Sequence, residues 1–182
     1  MIDLTWKAAH LPLMPRLRHY DDLGVARFLT FSCFRHYPHF KSAGMRNLIL
    51  PELKALRVQH RIRLLAWVLM PDHMHLVILP PEKCDVGGLI GRFKARTVRV
   101  VLGQLSQNRR RFRSDGHAAL WRRWCYDRNC RPPEEVREEI NYCHANPVRA
   151  GLVAQPEDWP WSSGRWYAGW PGVLLDIDGV DV

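Results

Sequence analysis

Residues 62–79 read Ile62-Arg63-Leu64-Leu65-Ala66-Trp67-Val68-Leu69-Met70-Pro71-Asp72-His73-Met74-His75-Leu76-Val77-Ile78-Leu79. Ile62–Leu69 is an apolar run of strand length, of the kind buried on both faces. Pro71-Asp72 supplies turn chemistry, because proline fixes φ and aspartate bonds nearby backbone. His73–Leu79 then alternates. Successive strand side chains point to opposite faces, so His73, His75, Val77 and Leu79 share one face and Met74, Leu76 and Ile78 the other.

The neighbouring segments extend this pattern in both directions. Arg27–Phe34 alternates and is rich in aromatics, so it reads as another strand. Met45, Leu48, Ile49, Leu53 and Leu56 have helical spacing, and Pro51 should kink that helix or start it afresh. Gly87-Gly88 precede a basic amphipathic helix of about residues 89–105. Asn108–Gly116 reads as a basic loop and Leu120–Cys130 as a further strand. Pro132-Pro133 open a helix whose first turn holds Glu134 and Glu135, which suit the positive end of the helix dipole. That helix should end at Asn146, because proline disfavours helix at the residue before it. The order β-α-β-β-α-β-α predicts an α+β sandwich, with helices packed on a largely antiparallel sheet. Residues 1–24 read as an irregular leader, 25–167 as the folded domain, and 168–182, rich in Gly and Asp, as a loose tail.

At 182 residues the chain suits one domain with a core of its own. Its composition, 47% hydrophobic and 25% charged, excludes wholesale disorder. The longest apolar run, Leu64–Met70, falls far short of the ~20 residues of a membrane helix, and no signal-peptide pattern opens the chain. These features predict a soluble, cytoplasmic protein without a membrane partner. The five cysteines form no Cys-x-x-Cys pair and read as scattered reduced thiols.

The formal net charge is +9, and it is concentrated. Between Arg92 and Arg131 stand twelve Lys/Arg, eleven of them Arg, against two acids. Fifteen basic and sixteen acidic residues make up the rest, which is almost neutral. Phe93, Phe112, Trp121, Trp124 and Tyr126 are interleaved in the block. Guanidinium forks match phosphate, and flat aromatic faces match unpaired bases. Unpaired nucleic acid is therefore the expected partner, the alternatives being a solvated face or an anionic-membrane patch. Arg92, Lys94, Arg96, Arg99, Arg122, Arg123 and Arg128 are the candidate contacts.

Two constellations carry chemistry. His73 and His75 stand side by side at the start of a strand, placed either as two metal ligands or as a pair of partly buried, hydrogen-bonded rings. On the helix that begins at Pro132-Pro133, Val136, Ile140 and Cys143 form the apolar stripe. Tyr142 lies about 130° from that stripe and Asn146 about 90°. The two are four residues apart and so are neighbours on one shoulder. They read either as nucleophile and hard ligand, or as a surface tyrosine with a helix-end asparagine.

The segments Leu65-Ala66-Trp67-Val68-Leu69-Met70-Pro71-Asp72-His73-Met74-His75-Leu76-Val77 and Tyr142-Cys143-His144-Ala145-Asn146-Pro147-Val148-Arg149-Ala150-Gly151-Leu152-Val153 resemble the His-hydrophobic-His (HUH) strand and the tyrosine helix of single-tyrosine transposases. Pro156-Glu157-Asp158-Trp159-Pro160-Trp161-Ser162-Ser163, Leu120-Trp121-Arg122-Arg123 and Tyr126-Asp127-Arg128 fit as well. The resemblance is to the REP-associated tyrosine transposases, relatives of insertion-sequence transposases, and spans about residues 25–167. It implies a ferredoxin-like sheet with the His pair on a central strand. It also implies Tyr142 as the catalytic tyrosine, and His73, His75 and Asn146 as ligands of a divalent metal, Mg²⁺ or Mn²⁺. Trp124-Cys125 departs from the pattern of relatives, so base contacts there are expected to differ.

The implied activity is cleavage and rejoining of hairpin-forming DNA through a 5′-phosphotyrosine, by a monomer or homodimer associated with the nucleoid. A phenol, with a pKa near ~10, is a weak nucleophile at neutral pH, which explains the need for a metal. Phosphoryl energy is conserved in the adduct, and Gly87–Arg92 lacks the ending of a phosphate loop. Two other readings share these residues: a catalytically silent hairpin-binding protein, and a metal hydrolase that uses water instead of tyrosine.

Overall fold

The hydrophobic alternation of three segments builds the centre of the sheet. In the computed structural model, which describes residues 24–104, 113–114, 117–118 and 120–179, β1 (Ala26–Ser32) leads through a short 3-10 turn, Phe34–His36, to α1 (Ala43–Asn47) and α2 (Leu50–Gln59). β2 (Arg63–Leu69) and β3 (His73–Leu79) follow, then α3 (Val86–Gln104). β4 (Arg113–Ser114) and β5 (His117–Ala118) pair with each other in a separate two-stranded sheet. β6 (Tyr126–Cys130), α4 (Pro133–Arg149), a 3-10 turn at Pro156–Asp158 and α5 (Gly164–Tyr167) complete the order.

The main sheet has the order β2-β3-β1-β6, with every neighbour antiparallel. With its β-α-β-β-α-β succession this is the expected ferredoxin-like arrangement, and the His-bearing strand β3 is interior, as expected. Leu29, Phe31, Trp67, Met74 and Leu76 pack with Leu53 of α2 and Phe93 of α3 on one face. Phe28, Ala66, Val68 and Val77 pack with Val136, Ile140 and Cys143 of α4 and with Trp159 on the other. An irregularity between Leu64 and Ala66 adds one residue to β2. Leu65 and Ala66 therefore both face α4, while Leu64 and Trp67 face α3. A bulge reconciles a continuous apolar run with two buried faces.

Several expected boundaries move, each for a local reason. Pro51 starts α2 afresh, at its first turn, after the separate α1. Gly87 and Gly88 lie inside α3, because the Asp85 carboxylate accepts the Gly88 N–H at 2.8 Å and caps the first turn. A Cβ at Gly88 would collide with that carboxylate. The strand expected from Leu120 begins only at Tyr126. Before it, the carbonyls of Arg122, Arg123 and Trp124 converge on the Lys94 ammonium at 3.0, 3.4 and 3.1 Å, a geometry no ladder allows. Of the expected basic loop 108–116, Arg113 and Ser114 pair with β5 and the rest lies outside the described residues, as does the leader up to residue 23.

α4 does not stop at Asn146 but runs through Pro147 to Arg149. Pro147 sacrifices one backbone bond near the helix end and buries its ring. The Leu152 N–H then donates to the Pro147 carbonyl and the Gly151 N–H to the Val148 carbonyl, both at 2.9 Å, with Gly151 at φ 66°. This closes the helix with the glycine-dependent C-terminal motif.

The segment expected to be a loose tail is pinned along much of its length. Leu175 and Ile177 are buried in the α3-side core. The Asp178 N–H donates to the Leu64 carbonyl at 2.9 Å, and its carboxylate accepts from the Leu64 N–H at 2.8 Å. Arg57 grips the same carboxylate through Nε at 2.8 Å and Nη2 at 2.6 Å. The Gly and Asp content concealed two apolar anchors and a bidentate ion pair. Burial alone would raise the Asp178 carboxyl, but the Arg57 hydrogen bonds and the Leu64 N–H outweigh it and hold it below its ordinary value. A carboxyl depressed in the folded state stabilises above its unfolded value of ~3.9, and the contribution is lost as pH falls through the folded value. Asp178→Asn is expected to lower unfolding free energy at pH 7 by about 1–2 kcal/mol. The difference should shrink when urea titrations are repeated in acid; a constant difference would reject the linkage.

Candidate active site

The pleat sets the site. His73 and His75 are two residues apart on β3 and face α4, beside Phe28 and Thr30 of β1. The His75 ring stacks on Phe28 at 5.5 Å and 14°, and meets His73 edge-on at 4.8 Å. Tyr142 of α4 stands over both, 5.3 Å from the His75 ring and 5.8 Å from Phe28, nearly perpendicular to each. Tyr142 is 37% exposed while His75 is 4% exposed, so the phenol covers the histidine and still meets solvent.

Each imidazole is held by one nitrogen. His73 Nδ1 is 2.7 Å from Asp72 Oδ1, and His75 Nδ1 is 2.7 Å from Thr30 Oγ1. The remaining nitrogen of His75, Nε2, is buried with no hydrogen-bond partner of proper geometry. The Asn146 amide lies near enough to favour the protonated ring, but burial dominates and a second imidazole at 4.8 Å adds to it. Together they hold His75 well below the ordinary imidazole range, which favours the neutral ring. Burial alone would raise the Asp72 carboxyl; the hydrogen bonds from the adjacent His73 and His36 rings outweigh it and lower it.

Asn146 Nδ2 donates to the Tyr142 backbone carbonyl at 2.8 Å, which leaves Oδ1 as the free atom of its amide. An orphaned buried imidazole nitrogen, a second imidazole oriented by a carboxylate, and an amide oxygen form a donor set that fits a divalent cation of intermediate hardness. Among the described residues, no cluster of three His, Cys, Asp or Glu side chains offers another metal site.

The sequence-derived site residues divide into two groups. His73, His75, Tyr142 and Asn146 come together between β3 and α4. Arg92, Lys94, Arg96 and Arg99 lie on α3, across the sheet. Arg92 and Arg99 are exposed. Lys94 is engaged with the three carbonyls described above, and Arg96 is turned to α2, with Nε 2.6 Å from Glu52 and Nη1 2.7 Å from Gln59 Oε1. Arg128 faces α4 and pairs with Glu139 at 2.8 Å and Glu135 at 3.5 Å. Arg122 and Arg123 remain exposed, with Arg123 5.3 Å above the ring of the exposed Trp124. Arg122 Nη1 reaches His36 Nε2 at 3.1 Å.

Sequence reasoning missed four residues of the site, Phe28, Thr30, Asp72 and Arg149, and a fifth, His144, that holds its helix. Phe28 and Thr30 belong to a different strand, and only the β1–β3 register brings them to His75. Asp72 was read as a turn residue alone. Arg149, whose guanidinium lies 5.1 Å over the Tyr142 ring, was legible: seven residues make two helical turns and place it on the same face. His144, two residues after the tyrosine, bonds Ser163 Oγ at 2.8 Å and is held down to about 4 by burial. Ser163 Oγ in turn accepts the Trp67 N–H at 3.0 Å, so a neutral histidine ties α4 to β2.

Residues 30–126 match the family described as "Transposase IS200 like", just over half of the chain. The match includes the His pair and stops before Tyr142. A "Putative REP-associated tyrosine transposase" of Haemophilus influenzae is 30% identical over 99 residues, 52% of this chain and 54% of the relative. The "REP-associated tyrosine transposase" of Escherichia coli K12 is 28% identical over 119 residues, 62% of this chain and 64% of the relative. The alignments thus span less than two-thirds of these relatives. A solved structure described as the REP-associated tyrosine transposase bound to a REP hairpin superposes with a TM-score of 0.66 at 21% identity. It covers 93% of this chain and 99% of its own, and so shares the fold. No helix of the described residues is long and apolar enough to cross a membrane.

Thr30 anchors the buried ring, and its removal isolates that contact. Thr30→Val keeps the shape and leaves His75 Nδ1 without its partner. The expected cost is about 1–3 kcal/mol in chemical denaturation, the range for an orphaned buried polar group. A change below about 0.5 kcal/mol would show that the hydroxyl does not hold the ring.

Proposed function

The chain belongs to the IS200-like transposase family, and from that premise we propose that it cuts and rejoins single-stranded, hairpin-forming DNA of the REP type through a covalent bond to Tyr142. The observation that carries this reading is the partly exposed phenol standing 5.3 Å from the His75 ring, with His73 edge-on beside that ring and each imidazole tied through Nδ1.

The step is a phosphoryl transfer. The Tyr142 phenol oxygen attacks phosphorus and loses its proton to water. The bond from phosphorus to the 3′ oxygen breaks, and that oxygen leaves as a hydroxyl. The 5′ end remains on the protein as a phosphotyrosine. A strand hydroxyl attacking the same phosphorus reverses the step with no net loss of bond energy, so nucleotide hydrolysis is not required.

The chain's own residues act mainly by holding positions. His73, His75 and the Asn146 oxygen would bind a divalent cation, Mg²⁺ or Mn²⁺, which when bound neutralises the phosphate and eases departure of the leaving oxygen. Asp72 and Thr30 orient the two rings. Phe28 packs against His75 and Tyr142 together, so phenol and imidazole share one support. Arg149 places a cation beside the phenol, where an incoming phosphate needs compensation. Exposed Arg122 and Arg123, with Trp124 beside them, suit backbone and unpaired bases of the strand.

The test incubates the purified protein and its Tyr142→Phe variant with labelled single-stranded REP-type hairpins and Mn²⁺, and resolves them on SDS and native gels. An SDS-resistant adduct is expected for the unsubstituted chain. It should fall at least about 10³-fold in the variant and disappear with EDTA, while hairpin affinity stays within about threefold. Cutting by the variant at an unchanged rate, with no adduct at any time, would assign attack to water. A native shift with neither cut nor adduct would leave a hairpin-binding protein.

A further inference from the structure

Outside the two imidazoles lies a polar chain with a direction. Arg122 Nη1 is 3.1 Å from His36 Nε2, His36 Nδ1 is 3.3 Å from Asp72 Oδ2, and Asp72 Oδ1 is 2.7 Å from His73 Nδ1. A guanidinium offers donors only, and a carboxylate accepts only. His36 Nε2 must therefore accept, since a doubly protonated ring would set N–H against N–H at that contact. The His36 proton then sits on Nδ1 and is donated to Asp72. His73 in turn donates its own Nδ1–H to the other carboxylate oxygen, which leaves the lone pair on Nε2.

The backbone is built to hold these contacts. Arg35 and His36 both have φ 54°, two consecutive left-handed residues without glycine. Such a conformation persists where the surroundings over-determine it. Three segments are clamped together here. The Cys33 N–H donates to the Asp72 carbonyl at 2.7 Å, the Phe34 N–H to Leu120 at 3.0 Å, and the Arg122 N–H to Ser32 at 2.8 Å. The exit of β1, the β2–β3 turn and the segment before β6 thus form one frame that carries His36, Asp72 and Arg122.

We propose that His36 and Arg122 are positioning residues for His73, fixing through Asp72 which of its ring nitrogens carries the proton and which is free to bind metal. The inference rests on the reading of His73 as a ligand under Proposed function. It gives Arg122, an exposed member of the basic block, a role toward the metal centre that does not require DNA.

The test uses the full chain without DNA. In metal-free protein labelled with ¹⁵N-histidine, two-bond ¹H–¹⁵N spectra should show His36 and His73 as Nδ1–H tautomers. Mn²⁺ titrated into the same protein, with the free ion read by electron paramagnetic resonance, gives the affinity. His36→Ala should weaken Mn²⁺ binding by about 10–100-fold, the range for loss of an outer-shell partner, and should move His73 toward mixed tautomers. Arg122→Ala should act in the same direction by about 3–10-fold. His36→Asn, whose amide N–H replaces Nδ1–H, should restore affinity to within about threefold. The restoration separates a positioning role from a general loss of folding. A proton on Nε2 of His73, or His36→Ala binding Mn²⁺ like the unsubstituted chain, would overturn the proposal while leaving the Tyr142 chemistry standing. Absence of Mn²⁺ binding by the unsubstituted chain would overturn the ligand reading and the positioning role together.

Discussion

His75 is a polar ring placed in the interior of a sheet that is buried on both faces. A buried polar atom without a partner costs about 1–3 kcal/mol, so such a ring persists only where its surroundings fix it. Thr30 satisfies one nitrogen, and Phe28 stacks on one side of the ring. The remaining nitrogen is left unpartnered beneath Tyr142 and near Asn146. The site is organised around that open valence. The β1–β3 register supplies Thr30 and Phe28, the β2–β3 turn supplies Asp72 and His73, and α4 supplies the phenol and the amide.

For the phenol to stand over His75, α4 must be fixed in rotation and height on the sheet. Three contacts do this by different means. Val136, Ile140 and Cys143 bury the stripe against β2 and β3. His144 reaches Ser163, which is bonded to the Trp67 backbone. Pro147 and Gly151 end the helix in a rigid turn directly after Asn146. The proline that looked like a helix terminator serves as a buried side chain of the last turn. Arg149, two turns past Tyr142 and about one past Asn146 on the same side, is carried along by the same helix.

Among the described residues, the basic block does not form one surface. Lys94 holds the segment before β6, Arg96 ties α3 to α2, and Arg128 ties β6 to α4. These charges are compensated within the fold, and pairing of this kind reduces what remains for an external phosphate. Arg92 and Arg99 stay exposed on the α3 side, across the sheet from Tyr142. Arg122 and Arg123 stay exposed at the end of the sheet where His73 lies, beside an exposed tryptophan. Of the exposed cations among the described residues, Arg149 is the one seated against the Tyr142 ring.

Much of this was already determined by the sequence alone. The strand pair around Pro71-Asp72, the pairing of His73 with His75 on one face, and the placement of Tyr142 with Asn146 on one shoulder follow from the strand and helix periods. These are local geometry, and local geometry survives folding. The tertiary structure decided the rest, because it depends on which segments meet. Register brought Thr30 and Phe28 to His75, forty-five residues away in sequence or more. Compensation by Glu52, Glu139 and three carbonyls consumed cations that composition counted as free. Leu175, Ile177 and Asp178 pinned a segment whose Gly and Asp content read as loose. A sequence displays donors, charges and periods, but whether a given group is satisfied inside the fold or left for a ligand is settled only by its neighbours in space.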